Sequence, residues 1–371
     1  MVASPDTRPR VAVVGTGLIG GSILLGLHRA GLDVTGWDPD PATRQAVRDT
    51  GVACPDELTV AVDGRAVVFL CGPLPTLPET LRTVAGAVGA DCVLTDVGSA
   101  KGEVAEFAAA YGLTDRFVPG HPMAGTDRAG IGAAVPDLFD GAAWVLCPAP
   151  DGLPAFHRLA TLLVSVFGAR VVPMAPDEHD AVVALASHVP HLLAGALAGA
   201  AGRSPLRDAV LALAAGSFRD GTRVAGTPAE RTANMLLGNR EHVLRELATV
   251  RSVLDELAAA LAAADAEALT AGHRAARATR TALFDRPFLA SGHDFPTTPG
   301  TGREGVTAGA DRERAAASPT ADARPGDDGA AGELRFLLTL GAAGGYLSDC
   351  QVTGSTVRYT AHTPAGATAR D

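Results

Sequence analysis

From residue 10 to about residue 172, short apolar runs alternate with stretches whose apolar positions recur every three or four residues. The runs RVAVVG, DVTGWD, RAVVFLC, DCVLTDV, FVPG, AAWVLC and ARVVPM have the length and branched side chains of buried strands. Their alternation with helical segments predicts a parallel α/β sheet. After Pro173 the branched runs stop, and alanine- and leucine-rich helical periodicity holds to about Asp285. Its longest piece, NREHVLRELATVRSVLDELAAALAAADAEAL, keeps apolar residues on one face with Glu and Arg between them, as an amphipathic helix requires. The pattern predicts an α/β domain over 1–172 and an all-helical domain over 173–289. Proline, glycine, threonine, serine and alanine dominate 290–332, which reads as disordered linker. The tail, 333–371, recovers two strand-like runs, RFLLTL and TVRYTAH, too few to assign a domain.

Composition narrows the class of partner. The 371 residues are 47% hydrophobic, enough for two packed domains, and point to a soluble enzyme. Net charge is -10 and the 31 basic residues form no stripe, so the footprint of a nucleic-acid binder is missing and a small-molecule partner is expected. The five cysteines show no paired spacing, which argues against a disulfide framework or a zinc site and for a reducing cytoplasm. MVASPDTRPR lacks the apolar core of a signal peptide, so no export is expected. Ala181 to Gly202 is long enough and uncharged enough for a membrane span, but His188, Pro190 and His191 favour a helix buried in protein, and no membrane partner is expected. Only one basic residue is lysine, Lys101, which hints at a local need for a compact ammonium.

VAVVGTGLIGGS runs from an apolar strand through Gly15-x-Gly17-x-x-Gly20 straight into a helix. Gly15 allows the tight turn, Gly17 lets backbone approach a pyrophosphate, and Gly20 lets helix and strand pack closely. Leu18 and Ile19 open the helix, whose N-terminus offers amides and a positive dipole end to phosphate. Asp38 ends the second strand 21 residues beyond Gly17, placed to accept from ribose hydroxyls. Its charge favours NAD over NADP, although DPDP is also turn chemistry, and Arg44 keeps NADP as a minority alternative.

Further polar residues stand where packing does not ask for them. Ser99 in TDVGSAKGE and His121 in GHPMAGTD, which also holds Thr126, lie at the carboxyl ends of strands, where open α/β sheets place ligands. SHVPH carries Ser187 and His191, and SFRDGTR carries Arg219, Asp220 and Arg223. Taken singly, Ser99 suits a helix cap, His121 a loop, and Arg219 with Asp220 a surface ion pair. Together they bracket the domain junction, where small ligands are usually held. His188 and His191 share a helix side, but no third ligand has suitable spacing, so no metal is expected.

In this order and at these separations, GTGLIGGS, DVGSAKG, GHPMAGT, SHVPH and FRDGTR resemble the prephenate/arogenate dehydrogenase family over residues 10 to about 285. The resemblance implies a Rossmann domain followed by an all-helical dimerisation domain, and an NAD-dependent oxidative decarboxylation that makes the tyrosine precursor. It makes His121 the catalytic histidine on the substrate's ring hydroxyl, assisted by Ser99. Lys101 would belong to the supporting shell of the substrate site, Ser187, His191 and Thr126 would line that site, Arg223 would bind the ring carboxylate, and Arg219 with Asp220 would shape the entrance. Histidine suits the hydroxyl because its ordinary pKa, about 6.5, leaves it neutral yet basic near physiological pH. Arginine suits a carboxylate because its fork binds two oxygens while staying charged.

Two departures stand out. Thr232 in TPAERTANM stands where many relatives have tryptophan, and the tail is too short for the βαββαβ regulatory unit, of the ACT kind, that many relatives carry. The substrate stays open between prephenate, arogenate and 4-amino-4-deoxyprephenate. A different two-domain Rossmann dehydrogenase or imine reductase would leave GHPMAGT unexplained, and an NAD sensor would not need Ser99, His121 and Arg223 together. A homodimer is expected, because an uncharged helix with a smooth Gly195-x-x-x-Gly199 face needs a partner surface.

Overall fold

The computed structural model describes residues 8–126, 128–297 and 329–366. Strands β1 (Val11–Val14), β2 (Val34–Trp37), β3 (Val67–Leu70), β4 (Val93–Asp96) and β5 (Phe117–Val118) form a parallel sheet in the order β2-β1-β3-β4-β5. Helices α1 (Leu18–Arg29), α2 (Pro41–Asp49), α3 (Leu58–Val62), α4 (Leu77–Ala87) and α5 (Gly102–Ala110) join them. Alternation along a strand sends side chains to both faces, so the sheet needs two cores. Val11 and Val13 enter one with Ile23, Leu24 and Leu27 of α1, while Ala12 and Val14 enter the other with Leu77, Leu81 and Val84 of α4.

A second sheet departs from the expected single parallel one. Its strands β6 (Gly120–Pro122), β7 (Ala143–Leu146) and β8 (Arg170–Pro173), with α6 (Leu153–Phe167) between the last two, come from the same domain. Here β6 pairs antiparallel with β7, and β7 parallel with β8.

The sheet continues into residues read from sequence as linker and tail. Strand β9 (Phe288–Pro296) occupies the start of the expected linker, and residues 298–328 of that linker lie outside the described residues. RFLLTL is not a strand: it lies within α14 (Ala330–Ala342), while TVRYTAH falls in β11 (Thr356–Pro364), after β10 (Tyr346–Thr353). The sheet order is β6-β7-β8-β10-β11-β9, so among the described residues β9, α14, β10 and β11 form a βαββ piece fused to the nucleotide domain. Leu337, Leu340, Leu347, Val357 and Tyr359 share one core with Trp144, Phe156 and Leu163. Inside it, Glu333 Oε1 accepts from His157 Nε2 at 2.6 Å and from the Tyr359 hydroxyl at 2.5 Å.

The helical domain comprises α7 (Pro176–Val183), α8 (Val189–Arg203), α9 (Arg207–Leu213), α10 (Gly216–Thr222), α11 (Ala229–Gly238), α12 (Arg240–Ala262) and α13 (Ala266–Ala282). A π-helical turn over Ala184–His188 joins α7 and α8 into one rod, Pro176–Arg203, which is apolar and long enough to cross a bilayer. Its first half is gripped by the nucleotide domain through Asp180. Along its other side Val182, Leu185, Leu193 and Leu197 are exposed, so within one chain the rod is less buried than expected.

Candidate active site

The glycine turn follows β1 and meets its demands separately. Gly15 has φ +89°, and a Cβ there would come 2.9 Å from the Cys71 and Gly72 backbone. A Cβ on Gly20 would fall 1.9 Å from the Gly15 carbonyl oxygen, so α1 lies directly on the turn. Around Gly17 nothing stands within 4 Å, which leaves that backbone open to a ligand. The buried Thr16 hydroxyl has no partner among the described residues, and Asp38 Oδ2 accepts from the Thr16 amide at 2.8 Å. An open glycine, free helix-terminal amides and an acid at the end of β2 fit the phosphates and ribose of NAD. Leu18 is buried in the core and Ile19 packs against it, so both would serve a cofactor through backbone alone. Arg44 donates to the carbonyls of Asp38 and Pro39 at 2.8 and 3.1 Å and pairs with Asp56, so its guanidinium is committed away from a 2′-phosphate.

At the carboxyl end of β4, buried Asp96 holds two segments together. Its Oδ1 accepts from the Gly120 amide at 3.1 Å and its Oδ2 from the Gly98 amide at 2.8 Å, so one carboxylate fixes the residues preceding His121 and Ser99. Lys101 is wholly buried, with Nζ bonded to Asp96 and to the Gly120 carbonyl at 2.9 Å, so it supports the segment that carries His121 from behind. A compact ammonium is needed because it balances the Asp96 charge inside the protein. The Ser99 side chain does not cap α5, and its hydroxyl makes no hydrogen bond among the described residues, while its backbone carbonyl accepts from His188.

Asp180, from the helical domain, caps α5 instead. Its carboxylate accepts from the Lys101 and Gly102 amides, both at 2.8 Å, and from His179 Nδ1 at 2.7 Å. His179 Nε2 in turn meets His121 Nδ1 at 2.9 Å. These contacts set the protons: a carboxylate can only accept, so His179 carries its proton on Nδ1 and accepts at Nε2. His121 therefore donates from Nδ1, and its Nε2 is the basic nitrogen. Burial holds His121 well below the ordinary histidine range, with His179, Lys101, His188 and Arg231 adding to it. Burial likewise lowers His179, outweighing the pull of Asp180. For Asp180 burial acts upward, but the His179 bond and the two amides outweigh it and keep the carboxyl below its usual range. The set is neutral His, neutral His, carboxylate.

His188 packs beside this relay, wholly buried, and burial lowers its pKa to about 4. Asn239 Nδ2 donates to the Asp180 carbonyl at 2.7 Å and lies 3.1 Å from His188 Nδ1. The next residues are less committed. His191 Nδ1 lies 2.9 Å from the Ser187 carbonyl on its own helix, and both are half-buried. Thr126 sits in the exposed loop after β6, accepting from the Arg128 amide at 3.2 Å. Arg219, Asp220 and Arg223 lie on α10 and the turn after it, packed on α8 but exposed, and no hydrogen bond links them to the His121 relay. The structure thus joins Ser99, Lys101 and His121 through Asp96, and adds His179, Asp180 and Asn239, which sequence reasoning passed over. DEHD at the start of an apolar helix was the available signal.

A glycine turn open to phosphate and a neutral histidine held across the junction of an α/β and a helical domain fit the class of two-domain NAD-dependent dehydrogenases. Known proteins carry this further. The family model of the prephenate dehydrogenase nucleotide-binding domain matches residues 24–173, and that of the prephenate dehydrogenase dimerization domain matches 175–274. Prephenate dehydrogenase of Bacillus subtilis (strain 168) is 31% identical over 268 residues, 67% of this chain and 71% of that protein. Cyclohexadienyl dehydrogenase of Zymomonas mobilis is 30% identical over 280 residues, 74% and 95% of the two. The crystal structure of prephenate dehydrogenase from Aquifex aeolicus in complex with hydroxyphenyl propionate and NAD+ superposes with a TM-score of 0.69 at 26% identity, covering 75% of this chain and 99% of that one. The chain belongs to the prephenate dehydrogenase family and is an NAD-dependent oxidoreductase.

Proposed function

We propose that the protein is a cytoplasmic homodimer that oxidatively decarboxylates prephenate to 4-hydroxyphenylpyruvate in tyrosine biosynthesis. The observation that carries this is the His121–His179–Asp180 relay, which leaves a neutral base nitrogen, His121 Nε2, on a segment that Asp96 ties to the one carrying Ser99. Bound NAD supplies the nicotinamide that takes hydride from C4 of the ring. His121 Nε2 accepts the C4 hydroxyl proton as that oxygen becomes a carbonyl, and the Ser99 hydroxyl shares the hydrogen bond. The C1 carboxylate leaves as carbon dioxide, its bonding electrons restoring the aromatic ring and passing to the C4 oxygen, which takes back the proton held on His121 Nε2. Arg223 binds that carboxylate before it leaves, Ser187, His191 and Thr126 line the pocket, and Arg219 with Asp220 border its mouth. The exposed Val182, Leu185, Leu193 and Leu197 support a second copy against the rod.

Purified protein is supplied with NAD and, separately, prephenate, arogenate and 4-amino-4-deoxyprephenate while NADH absorbance is followed. Prephenate should give the highest kcat/KM. Turnover with none of the three sinks the reading, and turnover with only an amino analogue reassigns the substrate.

A further inference from the structure

Helix α11 runs across the mouth of the site. At its C-terminal end a Cβ on Gly238 would lie 3.4 Å from Leu74 and 3.8 Å from Ala100, the residue after Ser99. The next residue, Asn239, holds the Asp180 carbonyl and His188. At its other end, in the first turn, Arg231 reaches the loop that follows His121: a Cβ on Gly125 would sit 3.6 Å from Arg231 Nη2. Seven residues of helix separate the two ends, about 10 Å. The helix thus bridges the Ser99 wall and the His121 loop.

Arg231 is an arginine of the helical domain whose charge helps to hold the His121 pKa down. Its side chain is exposed, and it makes no hydrogen bond or ion pair with any described residue. Most arginines around the nucleotide domain are otherwise engaged: Arg10, Arg29, Arg44, Arg48 and Arg65 all pair with aspartates. A free guanidinium fork at the cleft mouth is complementary to a carboxylate and repels an ammonium.

Resting on the proposed reaction, we propose that Arg231 binds the side-chain carboxylate of the substrate and selects a pyruvyl over an alanyl side chain. Two anionic ends then meet two arginines, with Arg223 on the ring carboxylate and Arg231 on the side chain. An amino-acid side chain would bring its ammonium towards the same guanidinium and lose part of the attraction.

The test compares wild type, Arg231→Gln and Arg231→Lys with prephenate and arogenate at saturating NAD, reading KM and kcat separately. Arg231→Gln should raise KM for prephenate about 10- to 100-fold with kcat within about threefold, the signature of lost uniform binding. KM for arogenate should rise less, so the preference for prephenate narrows, while KM for NAD stays put. Arg231→Lys, with charge but no fork, should fall between. An unchanged KM for prephenate, or an unchanged preference between the substrates, overturns the inference while the proposed reaction stands. A wild type inactive on both, and on the 4-amino analogue, overturns the two together.

Discussion

Replacing His179 by phenylalanine keeps a ring of similar size while cutting the relay at its middle. Two bonds go: the 2.9 Å acceptor for His121 Nδ1 and the 2.7 Å donor to Asp180. Because Asp180 is charged and buried, losing its donor should cost about 1.5–3 kcal/mol of stability, and the unpaired His121 N–H about 1–3 kcal/mol more. The catalytic loss has a different origin. With Nδ1 unpaired, the proton no longer has to sit there, and any fraction of His121 carrying it on Nε2 cannot accept from the substrate. General-base catalysis contributes about 10²–10⁴-fold, so losing the orientation while keeping the base should lower kcat about 10- to 100-fold. His179→Gln is the control, since its amide oxygen can accept from His121 while its NH2 donates to Asp180. It should stay within about fivefold of wild type. NADH formation at saturating substrate, with thermal unfolding of each variant alongside, makes the comparison. A phenylalanine variant within about twofold of wild type, or a glutamine variant as impaired as phenylalanine, would refute the tautomer argument.

The glycine turn predicts a split between two small substitutions. Gly20→Ala drives a Cβ into the Gly15 carbonyl and should unfold at a clearly lower temperature, whereas Gly17→Ala meets nothing and should keep its Tm while raising KM for NAD about tenfold; equal effects on both readouts would remove the distinction. His188 predicts an acid-sensitive fold. Its folded pKa, about 4, lies below the unfolded value of about 6.5, so the unfolded chain takes up the proton first. That contribution, roughly 3 kcal/mol, is present above about pH 6.5 and lost as pH falls towards 4. Urea midpoints across that range should drop less steeply in His188→Gln than in wild type, and identical slopes would exclude this source.

Much of the nucleotide domain was legible because a strand buried on both faces must be apolar throughout, and Val11–Val14 and Val67–Leu70 show it. The tail was legible in part. RFLLTL satisfies strand and buried-helix patterns alike over so short a run, and what decides is the burial of Leu337, Leu340 and Gly341 at helical spacing. Packing confirms the choice: a Cβ on Gly341 would land 1.6 Å from the Pro173 carbonyl oxygen, so α14 lies flush on β8. Strand β9 was invisible for another reason. It lies at the sheet edge, bonded on one side to β11 and mostly exposed, so SGHDF carries no apolar alternation to read.

The site divides along similar lines. Residues at the ends of apolar strands announce themselves, which is why Ser99 and His121 stood out, while a buried polar residue within a polar helix start such as DEHD looks like its solvated neighbours until its partners are known. Asp180 is the case that matters. From one carboxylate it caps α5 of the nucleotide domain and fixes the proton of His179, which aims His121. The proposed base sits on one domain and the groups that orient it on the other. His121 is therefore aligned only when the helical domain is seated, and the bonds that seat it, to Lys101 and Gly102, are made by the atoms that set the tautomer. Loosening the junction should then lower kcat before it touches the glycine turn, whose contacts lie wholly within the first domain.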